Sequence, residues 1–343
     1  MNLDSLFGSS SPGHMKAVRI SNDHKISVVE TTIPAPLDDE IVVKPGCCGI
    51  CGTDLHILRH GFVGTHYPVT PGHEFAGHVV AVGKSVQNLR EGDFVAVDPN
   101  VVCGECRWCR MGRPNLCIHL TPIGVGRPGA AAEFVSAPAR NALPVAESIG
   151  HRVAALIEPL ACALHAVESS QGIADRSVLI VGGGTMGLLI GVAARKLGAG
   201  HVTISDPSQA KREVARRAGI DDARAPDGLG DGVFDVVFEA AGVSAALDQA
   251  LNSIEKTGVL VQVGVHNADA KATFNPFLVF DREFRFIGSN SCAEKFPTAA
   301  ELMPDIKEDV SHLLGTSFSV WNFGEAIQSM EAGCAVKTQL RFS

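Results

Sequence analysis

With 343 residues, of which 45% are hydrophobic and 19% charged, the chain is long enough for two packed domains. A formal net charge of −8 argues against a nucleic-acid or anionic-membrane partner, because phosphate binding needs a basic surface. Residues 1–14, MNLDSLFGSSSPGH, contain no Lys or Arg and no continuous apolar run. They fit neither a secretory signal nor a transit peptide and read as a mobile leader or a cloning remnant, so the chain is expected to be cytoplasmic. In a reducing compartment its ten cysteines are expected to be metal ligands or packed small residues rather than disulfides.

From Met15 to about Gly150 the runs KAVRI, EIVVKP, HVVAVG and FVAVDP alternate apolar with polar positions between Pro and Gly, which predicts a β-rich, barrel-like domain with long loops. From about Ala154 the texture changes. The apolar runs VLIVGG, HVTISD, VFDVVFEA, VLVQVG and FRFIGS alternate with helical segments such as QAKREVARRAG, the pattern of a parallel, doubly wound sheet. Beyond Gly288 a helix is expected at PTAAELMPDI and a closing strand near KTQLRF. The uncharged stretch from Val178 to Ala194 is slightly short for a membrane span and is broken by five glycines.

Within the β-rich half, Cys103, Cys106, Cys109 and Cys117 stand in CGECRWCRMGRPNLC. Four thiolates on one tight loop can close the tetrahedral shell of Zn2+, which contributes folding energy and leaves no open position for chemistry. Without a metal the same four thiols would be an oxidation hazard. The remaining cysteines, Cys47, Cys48, Cys162, Cys292 and Cys334, read as small packed residues.

The first strand of the second half runs into VGGGTMG, which fits G-x-G-x-x-G with Gly182, Gly184 and Gly187 and holds Thr185 and Met186 between the last two glycines. It follows a β-run and opens a helix, and Asp206 ends the next strand about 20 residues on. Such a turn brings a dinucleotide pyrophosphate to the helix N-terminus, with Asp206 accepting from the ribose hydroxyls and repelling a 2′-phosphate. NAD is therefore favoured over NADP, although Lys211 and Arg212 could pair a phosphate. Asp206 reads alternatively as a helix N-cap before Pro207.

A third constellation joins GICGTDLH, with Cys51, Thr53, Asp54 and His56, to TPGHEFAGH, with His73 and Glu74. Cysteine, histidine and carboxylate suit a zinc shell that keeps one position open. Taken singly, each has an ordinary packing role.

In their order, GICGTDLH, PGHEFAGHVVAVG, the four-cysteine lobe, LIEPLACALHAV, VGGGTMG and VLVQVGV resemble the zinc-containing medium-chain dehydrogenase/reductases, the superfamily of zinc alcohol, polyol and threonine dehydrogenases. The resemblance covers the chain from about Met15. It implies an α/β protein with a GroES-like β-rich catalytic domain at 15–156, completed by 288–343, and a doubly wound Rossmann NAD-binding domain at 157–287. It places Cys51 and His73 on a catalytic zinc, with Glu158 and, in polyol-type members, Glu74 as further ligands. The four-cysteine lobe becomes a second, structural zinc. Asp54 matches the carboxylate that orients the zinc histidine. Thr53 matches the hydroxyl that takes the alcohol proton, and His56 a relay to solvent or a plain surface histidine. Val263 and Val265 match residues whose backbone meets the nicotinamide amide.

The function this implies is zinc-assisted hydride transfer between a polyol or secondary alcohol and NAD, in a cleft between the domains. HILRHGFVG resembles sorbitol-type polyol dehydrogenases, while Ile57 and Ser289-Asn290-Ser291 depart from the sorbitol-orienting pattern. An L-threonine 3-dehydrogenase-like or sugar or sugar-alcohol-phosphate activity stays open. A zinc-free NADPH quinone or enoyl reductase is disfavoured by Cys51, His73, the cysteine lobe and Asp206, and an inactive nucleotide-binding protein is the remaining alternative. A homodimer or homotetramer built through the nucleotide domain is the family habit.

Overall fold

A computed structural model describes residues 13–342. The leader assigned to residues 1–14 lies outside the described residues as far as residue 12. Gly13 and His14 already belong to the fold, a correction to its expected start at Met15: strand β1 (His14–Ile20) begins at His14, and the Gly13 carbonyl accepts from Ile33 N–H at 2.9 Å.

Contacts divide the described residues into two compact units, residues 13–158 with 296–304 and 314–342, and residues 159–295 with 305–313. In the first unit β1 pairs antiparallel with β2 (Ile26–Thr32). A seven-stranded sheet is built from β3 (Glu40–Gly49), β4 (Glu74–Val82), β5 (Phe94–Val97), β6 (Val135–Pro138), β7 (Ala142–Pro144), β14 (Leu314–Ser319) and β15 (Lys337–Arg341). Its order is β14-β15-β3-β4-β5-β7, with β6 on β3. Strand β1 is covered on both faces: Val18 and Ile20 enter the core with Ile41, Val43, Phe75, Val79 and Val95, while Met15 and Ala17, on the alternate positions, pack with Val42, Val80 and Phe134. Helix α1 (Gly52–Arg59) follows β3 directly and buries Asp54 and Ile57.

The second unit holds a six-stranded, wholly parallel sheet of order β10-β9-β8-β11-β12-β13. Its strands are β8 (Ser177–Val181), β9 (His201–Ser205), β10 (Asp222–Arg224), β11 (Phe234–Glu239), β12 (Ile254–Gln262) and β13 (Arg285–Gly288). Strand β8 is apolar at four successive positions because helices cover both faces of such a sheet. Helix α2 (Ile157–Ser169) leads into this unit, α3 (Thr185–Lys196) follows β8, and α4 (Gln209–Arg217) follows β9. The chain order reverses between β8 and β11, the place where such sheets bind nucleotides outside the strand ends. The expected helix and closing strand near the C-terminus are present as Phe296–Ser311 and β15.

No helix among the described residues is long and apolar enough to cross a membrane. Of the cysteines read as packed, Cys47, Cys48 and Cys292 are buried, Cys162 is half-buried and Cys334 is exposed. The reading of Cys334 is corrected: it is exposed, following Gly333, whose φ of 66° turns the chain away from the preceding helix.

Candidate metal and dinucleotide sites

Three strands assemble the first site. β3 pairs with β4 so that Gly49 stands opposite Glu74, and β15 pairs with β3 so that Gln339 stands opposite Gly49. Cys51, two residues beyond β3, is the N-cap of α1, and its N–H donates to Asp54 Oδ2 at 2.9 Å. His73 immediately precedes β4. The ligand atoms of Cys51, His73 and Glu74 consequently lie within 4.8 Å of one another.

The electrostatics around these donors are strongly coupled. Asp54, wholly buried, faces His73 Nδ1 with its Oδ1 at 3.7 Å, and neither atom has a hydrogen-bond partner. Burial works against a charge on His73, but Asp54 and the Cys51 sulfur hold its pKa well above the ordinary value. Burial raises the Asp54 pKa against the pull of His73. Glu158, near the start of α2, is 8% exposed, and burial pushes it up to about 7 despite the charge on His73. Glu158 lies outside the group formed by Cys51, His73 and Glu74. Thr53 Oγ1 is 3.8 Å from Cys51 Sγ, and half-buried His56 stands three residues further along α1 on the same face.

Sequence reasoning missed Lys337. Its side chain is 2% exposed, its Nζ contacts Glu74 Oε2, and it donates to the Ile50 carbonyl at 3.0 Å. Burial opposes its charge, yet Glu74 and Cys51 raise its pKa above the usual lysine value. The signal in the sequence was a lysine opening the closing strand KTQLR, which has no meaning until β15 is laid beside β3.

A dication suits this donor set. Soft sulfur, imidazole nitrogen and carboxylate oxygen are brought within 4.8 Å of one another, the donor chemistry that zinc takes. The four-cysteine lobe also fits. A tetrahedron with Zn–S bonds of about 2.3 Å has edges of about 3.8 Å. The sulfurs stand 3.4 Å (Cys103–Cys117), 3.6 Å (Cys106–Cys109) and 4.0 Å (Cys103–Cys109) apart, and all four cysteines are free thiols. Backbone N–H groups of Cys109 and Ile118 lower the Cys106 thiol to about 6, and those of Glu105 and Cys106 lower Cys103.

In the parallel unit the Gly-rich turn has the shape a dinucleotide needs. Gly182 adopts φ 113°, a Cβ on Gly187 would strike the Gly182 carbonyl at 1.8 Å, and space around Gly184, the N-cap of α3, is open. Thr185 and Met186 open that helix and are half-buried. Asp206 is 5% exposed; its Oδ2 accepts from Gly183 N–H and its Oδ1 from Ser208 N–H, each at 2.8 Å. The cap of α4 is Ser208, not Asp206, because the Ser208 hydroxyl accepts from Lys211 N–H. Lys211 Nζ lies 3.8 Å from Asp206, whereas Arg212 spends its guanidinium on the carbonyls of Asp206 and Pro207. Val263 and Val265 follow β12, and Val265 is 59% exposed.

Comparison with known proteins agrees with this geometry. Residues 37–147 match the alcohol dehydrogenase GroES-like domain and residues 185–305 the zinc-binding dehydrogenase domain. Sorbitol dehydrogenase of Bacillus subtilis (strain 168) is 31% identical over 335 residues, 92% of this chain and 94% of that protein. An L-threonine 3-dehydrogenase of Saccharopolyspora erythraea is 37% identical over 262 residues, 72% of this chain and 76% of that one. A solved structure of a candidate zinc-binding dehydrogenase from Sinorhizobium meliloti 1021, bound to NADP, superposes with a TM-score of 0.92 at 34% identity, covering 96% of this chain and all of that one. With two family domains in order and full-length relatives at this identity, the chain belongs to the zinc-containing medium-chain dehydrogenase/reductases, a superfamily of oxidoreductases.

Proposed function

We propose that this oxidoreductase transfers a hydride between a polyol or secondary alcohol and NAD, using one zinc held by Cys51, His73 and carboxylate, and a second held by Cys103, Cys106, Cys109 and Cys117. The observation that carries this reading is the convergence of Cys51, His73 and Glu74 beside buried Asp54. Bound zinc would supply Lewis acidity to the substrate oxygen, and bound nicotinamide would accept the hydride.

The chain's own groups have distinct tasks. Asp54 faces Nδ1 of His73 and thereby leaves Nε2 to the metal, fixing the ring. Lys337 engages one oxygen of Glu74, so Glu74 can offer the metal only its other oxygen, while Glu158 supplies a further carboxylate from α2. The Thr53 hydroxyl accepts the alcohol proton, and His56, one turn on, passes it towards solvent.

On the cofactor side Gly182, Gly184, Thr185, Met186 and Gly187 receive the pyrophosphate, Asp206 the ribose, and Val263 and Val265 the nicotinamide amide. Asp206 supports NAD, since its carboxylate would face a 2′-phosphate; Lys211 beside it and the NADP-bound relative make the NADP arm of any assay necessary. Sorbitol dehydrogenase among the relatives supports a polyol, and the L-threonine 3-dehydrogenase supports a second reading in which the substrate is an amino alcohol. A cytoplasmic homodimer or homotetramer completes the proposal. The open edge at β13, with Phe286 48%, Phe277 58% and Phe280 78% exposed, supports association through the nucleotide-binding unit.

The test is a panel of polyols, secondary diols, sugars, sugar-alcohol phosphates and L-threonine, run with NAD and with NADP on zinc-loaded protein. Reduction of NAD by a polyol or secondary alcohol supports the reading. No turnover of any member at full zinc loading overturns it, and L-threonine alone favours the second reading.

A further inference from the structure

Glu239, the last residue of β11, is wholly buried and stands opposite Gln262, the last residue of β12, in the parallel ladder. A buried carboxylate is costly unless donors surround it. Here the donors come from the loop after β11 and from the end of β12. Oε1 accepts from the N–H groups of Ala241 and Gly242 at 2.8 Å each, in the loop after β11. Oε2 accepts from Gln262 Nε2, which also donates to the Gly264 carbonyl at 2.9 Å in the loop after β12. The Glu239 carbonyl accepts from Val263 and Gly264 N–H at 2.9 and 2.8 Å, and His266 Nε2 stands 3.4 Å from Oε2. The loops touch: Gly242, at φ 70°, lies so close that a Cβ there would meet the Val265 carbonyl at 2.6 Å.

These loops leave the carboxyl end of the sheet beside the β8/β11 reversal, and they carry Val243 and Val265, 54% and 59% exposed. Apolar side chains left open at that edge are suited to cover by a flat ring. We propose that Glu239, strapped by Gln262, is a positioning residue that holds the two loops in the arrangement that binds the nicotinamide end of the dinucleotide. The inference rests on the dinucleotide reading given above. Glu239 belongs to none of the clusters of side chains able to hold a metal among the described residues. Its contribution is to preorganise the backbone of Val263–Val265, which lowers the ordering cost of binding.

Two variants test this in the zinc-loaded full chain. Gln262→Met keeps the volume and removes both side-chain hydrogen bonds. Glu239→Gln keeps an acceptor for Ala241 and Gly242 but sets an amide donor against that of Gln262. In each, the Kd for NAD by titration calorimetry should rise roughly tenfold. KM for NAD should follow, kcat at saturating NAD should change by less than about twofold, and KM for the alcohol and zinc content should hold. Amide exchange at residues 241–242 and 263–266 should accelerate in the free protein. Folded variants with unchanged Kd and unchanged exchange would overturn the proposal, as would a loss confined to thermal stability. If the unaltered protein binds neither NAD nor NADP, the dinucleotide reading itself fails, and this proposal with it; binding by the unaltered protein with indifferent variants overturns the strap alone.

Discussion

Lys337 and Glu74 form an ion pair in which each side chain is only 2% exposed, reaching from the final strand of the chain to the strand that begins at the proposed metal site. Such a pair adds little over an apolar pair of the same shape, but removal of one partner leaves an uncompensated buried charge. Glu74→Gln and Lys337→Met should each lower stability by roughly 3–5 kcal/mol. The double variant should lose clearly less than the sum, and urea unfolding of the metal-free forms measures this. Additive losses would show that the two groups do not depend on one another.

Zinc uptake at the Cys51–His73 site should release protons. His73 is held above its ordinary pKa by Asp54, against the opposing effect of burial, whereas a metal needs the neutral ring and the Cys51 thiolate. Affinity should therefore keep rising with pH beyond the ordinary histidine range, through the raised pKa of His73. Calorimetric zinc titration in buffers of different ionisation enthalpy reads the protons directly; enthalpies that do not vary with buffer would contradict the assignment.

The two proposed zinc ions should separate by mutation. Cys51→Ser should abolish turnover, remove one zinc and leave dinucleotide affinity within about twofold, because Cys51 and the Gly182–Gly187 turn belong to different compact units. Cys106→Ser should also remove one zinc but act through stability, lowering the thermal midpoint while folded protein still turns over. Metal analysis with melting curves distinguishes the two. Equal loss of NAD binding and turnover in Cys51→Ser would count against that division.

Glu40 gives the first unit a pH-dependent brace. Burial alone would raise its pKa, but Arg127, the Ser136 hydroxyl and the Leu37 N–H bring it below the ordinary carboxylate value. A depressed folded pKa stabilises fully above the unfolded value and loses that contribution as pH falls through the folded one. Glu40→Gln should cost about 2 kcal/mol at neutral pH. The difference should shrink to nothing in acid, as chemical denaturation across pH would show; a pH-independent difference would assign the loss to shape.

Much of this was legible because the informative groups are local in sequence. The cysteine lobe closes within CGECRWCRMGRPNLC, and the phosphate turn within VGGGTMG; each is read without knowing what packs against it. The runs KAVRI and VLIV likewise predict strands, although that both faces of KAVRI are covered appears only in the structure. Lys337, Glu40 and Glu239 were not legible, for a common reason. Each is a charge whose partner arrives from a distant part of the chain, Lys337 across β3 to Glu74, Glu40 to Ser136 on the paired β6 and to Arg127 in the loop before it, Glu239 to Gln262. A charged residue in a strand reads as solvated until the register reveals the donor or acceptor waiting for it. Asp206 stands one residue beyond β9, and its two hydrogen bonds to the Gly183 and Ser208 backbones could not be read from spacing.

The most direct test is zinc-dependent reduction of NAD by a polyol panel, with zinc and protein concentration determined on the same sample. Two zinc ions per chain and NADH formation from a polyol or secondary alcohol, lost on removal of the Cys51–His73 zinc and restored by its return, are the predicted result. NADH formation that persists in metal-free protein, or none from any alcohol at two zinc ions per chain, would contradict it.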